Sequence, residues 1–375
     1  MLEIRDVIHG NIYLNETESK IIDTPEMQRL RYIKQLDTTY LVFPGANHTR
    51  FEHSLGSMHV TKDLVSNLYG EQNREFSYVG LLHDVGHGPF SHLSEKVISV
   101  HLKKNHEKIG EEIIRNSLIK EILSDSGLSF DKIMEYFKDA ENIDVVGGPL
   151  GSDRIDYLMR DAHHTGVAYG IIDYDRIKSR MILHNGRLAV LESGISGVES
   201  MLISRYFMYT NVYFHHAKTM SNEMLVRALE SAIENNVFTA EELSRMYDEE
   251  MIYRLANSKV DVVTNLIERY KKRNLFKRAY NHKINNSVEK KKLEEEIINS
   301  GFEKEDFIIN IMDFGGARDN LDVVDSDGSY LGKITEISPF VKTLTDVLTT
   351  QRKLLVGCDK KNVEKVNKIV KQFVG

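Results

Sequence analysis

The stretch His83-Asp84-Val85-Gly86-His87-Gly88-Pro89-Phe90-Ser91-His92 constrains this chain more than any other part of it. It closes an apolar, helix-forming run from about Phe76 to Val85. Gly86, Gly88 and Pro89 then end the helix in a tight turn with exposed backbone. Adjacent residues on a helix stand about 100° apart around its axis, so the side chains of His83 and Asp84 can converge on one ion. Two other words, Arg50-Phe51-Glu52-His53 and Ser152-Asp153-Arg154-Ile155-Asp156-Tyr157, offer one more imidazole and one more carboxylate from other helices. A lone histidine in a helix is more often a core or capping residue than a ligand. The combination of a His-Asp pair, a glycine-rich break with further histidines and an upstream Arg-x-x-His points to a metal site with His53, His83, Asp84 and Asp153 as ligands.

Cys358 is the only cysteine, which excludes an internal disulfide and a cysteine-based zinc site. Imidazole and carboxylate without thiolate suit a divalent ion such as Fe, Mn, Zn or Mg. The net charge of −7 argues against general coating of nucleic acid but allows a local basic pocket. Nothing resembles a phosphate-binding P-loop or a dinucleotide fingerprint. No apolar run approaches the roughly 18–20 residues needed to span a bilayer, and the N-terminus lacks the layout of a signal peptide. A soluble, cytoplasmic protein is expected.

Residues 1–15 read as a hairpin around His9-Gly10-Asn11. Asp23-Thr24-Pro25-Glu26 starts a helix that carries Met27, Leu30 and Ile33 on one face. Further helices are expected from near Thr49, over His106 to Phe137 and from about Asp153 to His163, with one or two long ones between Gly194 and Glu234. Beyond that the pattern changes. Phe307 to Ile311, Leu321 to Val324 and Lys353 to Val356 read as strands, and Asn362 to Phe373 as a helix. The expected fold is mainly α: an all-α core over about 16–235, within a domain 1–235, and a smaller α+β lobe over 236–375.

The ordered words Ile8-His9-Gly10, Ile21-Ile22-Asp23-Thr24-Pro25, Gln28 to Leu36, Phe43 to Ala46, Arg50 to Gly56, His83 to His92 and Asp153 to His164 resemble those of the HD-domain dNTP triphosphohydrolases. The likeness is nearest to the catalytic core of the vertebrate enzymes that also carry a sterile-alpha-motif domain, and it runs over about 4–220. It implies an HD-domain helical core in which His53, His83, Asp84 and Asp153 hold the metal and His87, His92 and His106 line the catalytic pocket. Arg50 and Arg205 match phosphate-contacting arginines. Tyr213 matches a tyrosine that stacks on the sugar, Tyr157 and Asp161 match residues at its 3′-hydroxyl, and Gln35 and Leu36 match residues that select a 2′-deoxyribose. Arg154 stands where the family has a lysine, and Phe214 where it has a glutamine. Counterparts of a guanine-nucleotide activator site are Asp23, Gln28 and Arg31, while a basic residue near the N-terminus is replaced by Leu2 or Glu3.

The implied reaction cuts a deoxynucleoside triphosphate into deoxynucleoside and triphosphate by attack of metal-bound hydroxide on the α-phosphorus. Arg50, Arg154 and Arg205 would neutralise the triphosphate. His92 is the first candidate for general acid and His106 the second. The resemblance also implies a homo-oligomer, dimer or tetramer, and activation by GTP or dGTP. Two other readings stay open: an HD phosphohydrolase acting on another nucleotide, and a regulatory HD protein that binds nucleic acid through the basic run Lys271-Lys272-Arg273, Lys277, Arg278 and Lys290-Lys291-Lys292.

Overall fold

An asparagine-glycine turn, a capped 20-residue helix and an acid-tethered hairpin set the frame of the molecule. The structure, a computed structural model, describes all residues except 1, 71, 141–142, 285–287, 314–320 and 351. The N-terminal hairpin pairs Leu2–Asp6 with Gly10–Leu14 in antiparallel register. Its turn forms because Asp6 Oδ1 accepts the backbone N–H of Ile8 and His9 at 2.8 and 2.9 Å, and Gly10 takes a φ of +72°. The other Asp6 oxygen accepts from Arg160 at 2.8 Å, which ties the hairpin to a helix 150 residues on.

The central helix runs Arg50–Tyr69. Thr49 and Glu52 form a capping box at its start. Its apolar residues do not lie in one stripe: Phe51, Leu55, Met58, Val60, Leu64 and Val65 are buried around the axis, so it sits inside the domain. Each such buried Leu or Val contributes roughly 1.5–3 kcal/mol. Helices Glu75–Leu82 and Ser152–Thr165 pack on it. Small residues make the first approach possible, since a Cβ on Gly80 would lie 2.4 Å from Thr61 Oγ1. Helices His92–Leu102, His106–Arg115, Leu118–Ser124 and Phe130–Lys138 complete this part.

The chain is mainly α, as its sequence implies, but the expected all-α core over 16–235 contains a β-hairpin. Met181–His184 pairs with Arg187–Leu191 across Asn185-Gly186, both at positive φ, the turn geometry that matches strand twist. Arg187–Leu191 then pairs in parallel with Asp322–Val324, which pairs with Tyr330–Lys333. A second sheet has the order Lys277–Ile284, Arg352–Cys358, Phe307–Asp313, all antiparallel. Helices Lys290–Asn299 and Val363–Val374 bury Leu293, Ile297, Val366 and Val370 against Phe307, Leu354 and Val356. Helix His216–Glu234 shares one apolar cluster with residues on both sides of it in sequence, from Leu93 and Val97 to Leu266 and Ile267. Two further expectations need correction. The helix from Pro25 is α only to Arg29, continues as a 3-10 turn over Leu30–Tyr32, and leaves Ile33 extended. The helix expected to reach Val85 ends at Leu82; His83 caps it and Asp84 lies in the turn.

Candidate active site

Three segments meet at one point. Helix Arg50–Tyr69 carries His53, the first turn of Ser152–Thr165 carries Asp153, and the turn after Leu82 carries His83 and Asp84. His53 Nε2 lies 3.1 Å from Asp153 Oδ1 and 3.5 Å from Asp84 Oδ2. His83 Nε2 lies 3.4 Å from Asp84 Oδ1 and 3.8 Å from Asp153 Oδ1. Ligand atoms of His53, His83 and Asp153 all fall within 4.8 Å of one another. Each imidazole is turned by its other nitrogen. His83 Nδ1 donates to Gly80 O at 2.9 Å, and His53 Nδ1 to Asp156 Oδ2 at 2.7 Å, so both Nε2 atoms face the cluster.

Asp156 is itself fixed. Arg160 donates to its two oxygens at 2.9 and 2.9 Å, and His9 Nε2 contacts it at 2.6 Å. Burial opposes a charge on His53, but hydrogen bonds to Asp153 and Asp156 and the field of Asp84 outweigh it and push its pKa up to about 10. A proton on His53 answers an excess of negative charge that a divalent cation would neutralise. Two imidazoles and two carboxylates fit such an ion, and no thiol is near in sequence.

The turn that follows brings four more side chains together. A Cβ on Gly86 would lie 2.0 Å from His106 O, so only glycine allows the turn to pass that helix. His87 is buried and stacks on His106 with ring centroids 4.0 Å apart. Burial, Arg50 and His106 hold its pKa well below the usual value, so it is neutral. Glu95 bridges the other two histidines: its oxygens lie 3.0 Å from His92 Nδ1 and 2.7 Å from His106 Nδ1. Hydrogen bonds to those histidines overcome burial and keep Glu95 far below the usual carboxylate range. Arg50, expected on phosphate, instead donates to Asp84 Oδ2 at 2.6 Å and to Ser91 Oγ at 2.8 Å, although it still lines the cleft.

A cleft of about 460 Å³ opens beside these groups. Gln35, Leu36, Arg154, Tyr157, Asp161, Arg205 and Tyr213 all line it, with His92 and His106. Helix Ile195–Met208 continues as a π-helical turn over Tyr209–Tyr213, an irregularity common at functional sites. It places Tyr209 and Tyr213 ring to edge at 5.1 Å, with the Arg205 guanidinium 5.3 Å from the Tyr209 ring. Tyr213 Oη donates to Asp161 Oδ2 at 2.7 Å, while His48 Nε2 sits 2.8 Å from Asp161 Oδ1. Tyr157 lies 6.4 Å from Tyr213, ring to edge. Arg154 donates to Pro149 O at 3.1 Å. Lys218, paired with Asp37 at 2.9 Å, adds a cation that the sequence reading missed.

Asp23, Gln28 and Arg31 are not among the lining residues; Arg31 Nε donates to Gln28 Oε1 at 2.9 Å and its guanidinium covers Phe51. Sequence reasoning quoted His9, Asp156 and Arg160 only as parts of motifs, gave them no role, and passed over Glu95, His48 and Tyr209. Three of these had a local signal, Asp156 and Arg160 as an i,i+4 pair and Glu95 as the i,i+3 partner of His92.

Family models match twice: an HD domain over residues 50–165 and an HD associated region over 172–375. An uncharacterized protein of Methanocaldococcus jannaschii is 36% identical over 77% of this chain and 62% of its own length. The deoxynucleoside triphosphate triphosphohydrolase SAMHD1 of Homo sapiens is 31% identical over 61% of this chain and 44% of its own length. The chain thus spans less than two thirds of these curated relatives. A hypothetical protein of Aquifex aeolicus superposes with a TM-score of 0.81 at 32% identity, over 98% of this chain and 99% of the other. A phosphohydrolase of Bacteroides thetaiotaomicron superposes with a TM-score of 0.78 at 25% identity, over 96% and 100%. No helix among the described residues is long and apolar enough to cross a membrane.

Proposed function

The chain belongs to the HD-domain proteins that carry an HD-associated region, the HD phosphohydrolases, and from that premise we propose that it hydrolyses deoxynucleoside triphosphates to deoxynucleoside and triphosphate. The observation that carries this reading is the company kept in one cleft: a group of candidate metal ligands, two histidines on a shared carboxylate, three arginines and a tyrosine pinned by Asp161. The resemblance to SAMHD1, whose name states that activity, supports it.

His53, His83, Asp84 and Asp153 would hold the divalent ion, which when bound supplies Lewis acidity and water activation at the α-phosphorus. Arg154 and Arg205 orient and neutralise the phosphate tail. Loss of the 5′-oxygen requires a proton. His92 is solvent-accessible, lines the cleft and has its Nδ1 on Glu95, and is the first candidate for that proton donor. His106, on the other Glu95 oxygen, shares that carboxylate's charge and is the second candidate. Both Asp161 oxygens carry a partner, so the Tyr213 ring is held in one pose; Gln35 and Leu36, which also line the cleft, would close the other side of the sugar. A 2′-hydroxyl against that ring loses hydration without gaining a partner.

Chromatography of products from a panel of dNTPs, NTPs and monophosphates, with Fe, Mn, Zn or Mg, tests this reading. Deoxynucleoside and inorganic triphosphate are the expected products. Release of orthophosphate or pyrophosphate, or turnover of monophosphates alone, refutes it. We extend the proposal to assembly and activation through Asp23, Gln28 and Arg31; light scattering and activity with and without GTP or dGTP test both.

A further inference from the structure

His92 opens its helix from a strained turn. Phe90 and Ser91 both have a φ of 52°, and Ser91 has a ψ of −119°. Two successive left-handed positions occupied by non-glycine residues persist only where the surroundings over-determine them. Glycine would relax Ser91, but its hydroxyl is committed: Oγ accepts from Arg50 Nε at 2.8 Å and donates to Lys34 O at 2.8 Å.

The clamp comes from a distant segment. Asp248 is 2% exposed and opens helix Asp248–Ala256. Its carboxylate spends neither oxygen on its own helix. Oδ1 accepts the backbone N–H of Phe90 at 2.6 Å and Oδ2 that of Lys34 at 3.0 Å. Arg29 holds the other side of the turn, donating to His87 O at 2.5 Å and to Met246 O at 2.8 Å, two residues before Asp248. The turn between His87 and His92 is therefore gripped at a carbonyl and at an amide by groups anchored to residues 246–248, within the HD-associated region.

We propose that Asp248 is a positioning residue: it holds Phe90 and Ser91 in their strained form and so sets where His92 stands relative to Glu95 and the metal cluster. The inference rests on the reading of His92 as proton donor, and it gives the associated region a part in the chemistry. Displacement of a reacting group by about 1 Å costs up to about a hundredfold in rate. In Asp248→Ala and Asp248→Asn, kcat is expected to fall roughly tenfold to hundredfold, with KM and bound metal changed by less than about twofold. Asn keeps one acceptor and turns its NH2 toward the other backbone N–H, so it tests the clamp even where Ala fails to fold. Met251→Ala is the control. It removes a buried side chain from the same helix while leaving the Asp248 hydrogen bonds to Phe90 and Lys34 in place, and is expected to lose stability yet keep kcat. An unchanged kcat in the Asp248 variants, or an equal loss in Met251→Ala, overturns the proposal. A crystal structure of Asp248→Asn decides it separately from activity. A relaxed Phe90–Ser91 turn with a shifted His92 supports it, and an unmoved turn refutes it. If the wild type hydrolyses no nucleotide, the proposed function fails while the crystallographic arm still decides the role of Asp248.

Discussion

Replacing Gly56 by alanine puts a methyl group into the most tightly held part of the site. An ideal Cβ there would lie 1.9 Å from Asp156 Oδ1 and 2.4 Å from Arg160 Nη2. Gly56 sits mid-helix, so alanine gains about 1 kcal/mol of helix propensity. Against that, Asp156 cannot step back without straining its bonds to His53, His9 and Arg160. Overpacking costs roughly 1–3 kcal/mol and a weakened charge-assisted hydrogen bond roughly 1.5–3, so a net loss of about 2–5 kcal/mol is expected. A second effect follows from the first. His53 loses the partner that turns its Nε2 to the cluster, and metal affinity should fall about 10–100-fold. Urea unfolding of metal-loaded and chelated protein reads both: the chelated form gives the packing loss, and the gap between the two forms gives the change in affinity. A variant as stable as the wild type, with an unchanged gap, would show that the Asp156–Arg160 pair yields easily, and the account of His53 orientation would fall.

Other outcomes are expected. His83→Ala or Asp84→Ala should lose bound metal and activity with the helical circular dichroism retained, and full occupancy by elemental analysis would remove these residues from the ligand set. Tyr213→Ala should narrow the kcat/KM preference for dNTP over NTP, which an unpaired buried hydroxyl sets at roughly tenfold to a hundredfold (about 1–3 kcal/mol). Competition between dATP and ATP reads this, and equal loss on both sugars would mean that the ring only packs. Asp248 should make folding pH-dependent. Burial pushes its carboxyl up to about 7, with Glu249 adding and the N–H groups and charge around Lys34 opposing. The native state thus binds this proton more tightly than the unfolded chain. The contribution is complete below about pH 4 and lost as pH rises through about 7, a fall of at most roughly 4 kcal/mol. The stability of wild type over Asp248→Asn, from urea unfolding, should therefore shrink across that window; a constant or growing difference contradicts it.

The candidate metal ligands, which the fold brings together, were legible because each lies in a short word whose local chemistry is visible: a pair at a helix end, a helix start, a glycine-rich break. The helix starts could be read for the same reason: Pro25 and Glu26 mark the first turn after Thr24, and the Thr49–Glu52 capping box acts within four residues. Partners were not legible. Arg50 has the right type and position for a phosphate contact, yet packing brings it to Asp84 first. Glu95 reads as an ordinary helix acid until His106, eleven residues on, folds back to its other oxygen. Asp6, Asp156 and Arg160 join segments about 150 residues apart, and no window of sequence holds all three. The hairpin over 181–191 did carry a sign, Asn185-Gly186, but its strands are too short for alternation to stand out.

The π-turn over Tyr209–Tyr213 belongs to a different stretch of chain from the metal ligands, which all lie before residue 154. The cleft is thus lined from two stretches of chain, one with the candidate metal ligands, Gln35, Leu36, Arg154, Tyr157 and Asp161, the other with Arg205, Tyr209, Tyr213 and Lys218. Under the proposed function, exchange of a few side chains between 205 and 218 would change part of the substrate contact and leave His53, His83, Asp84 and Asp153 in place. A lineage built this way would be free to change substrate by small steps around one fixed set of ligands. Its members would be told apart by that one short stretch sooner than by the histidines that first draw the eye.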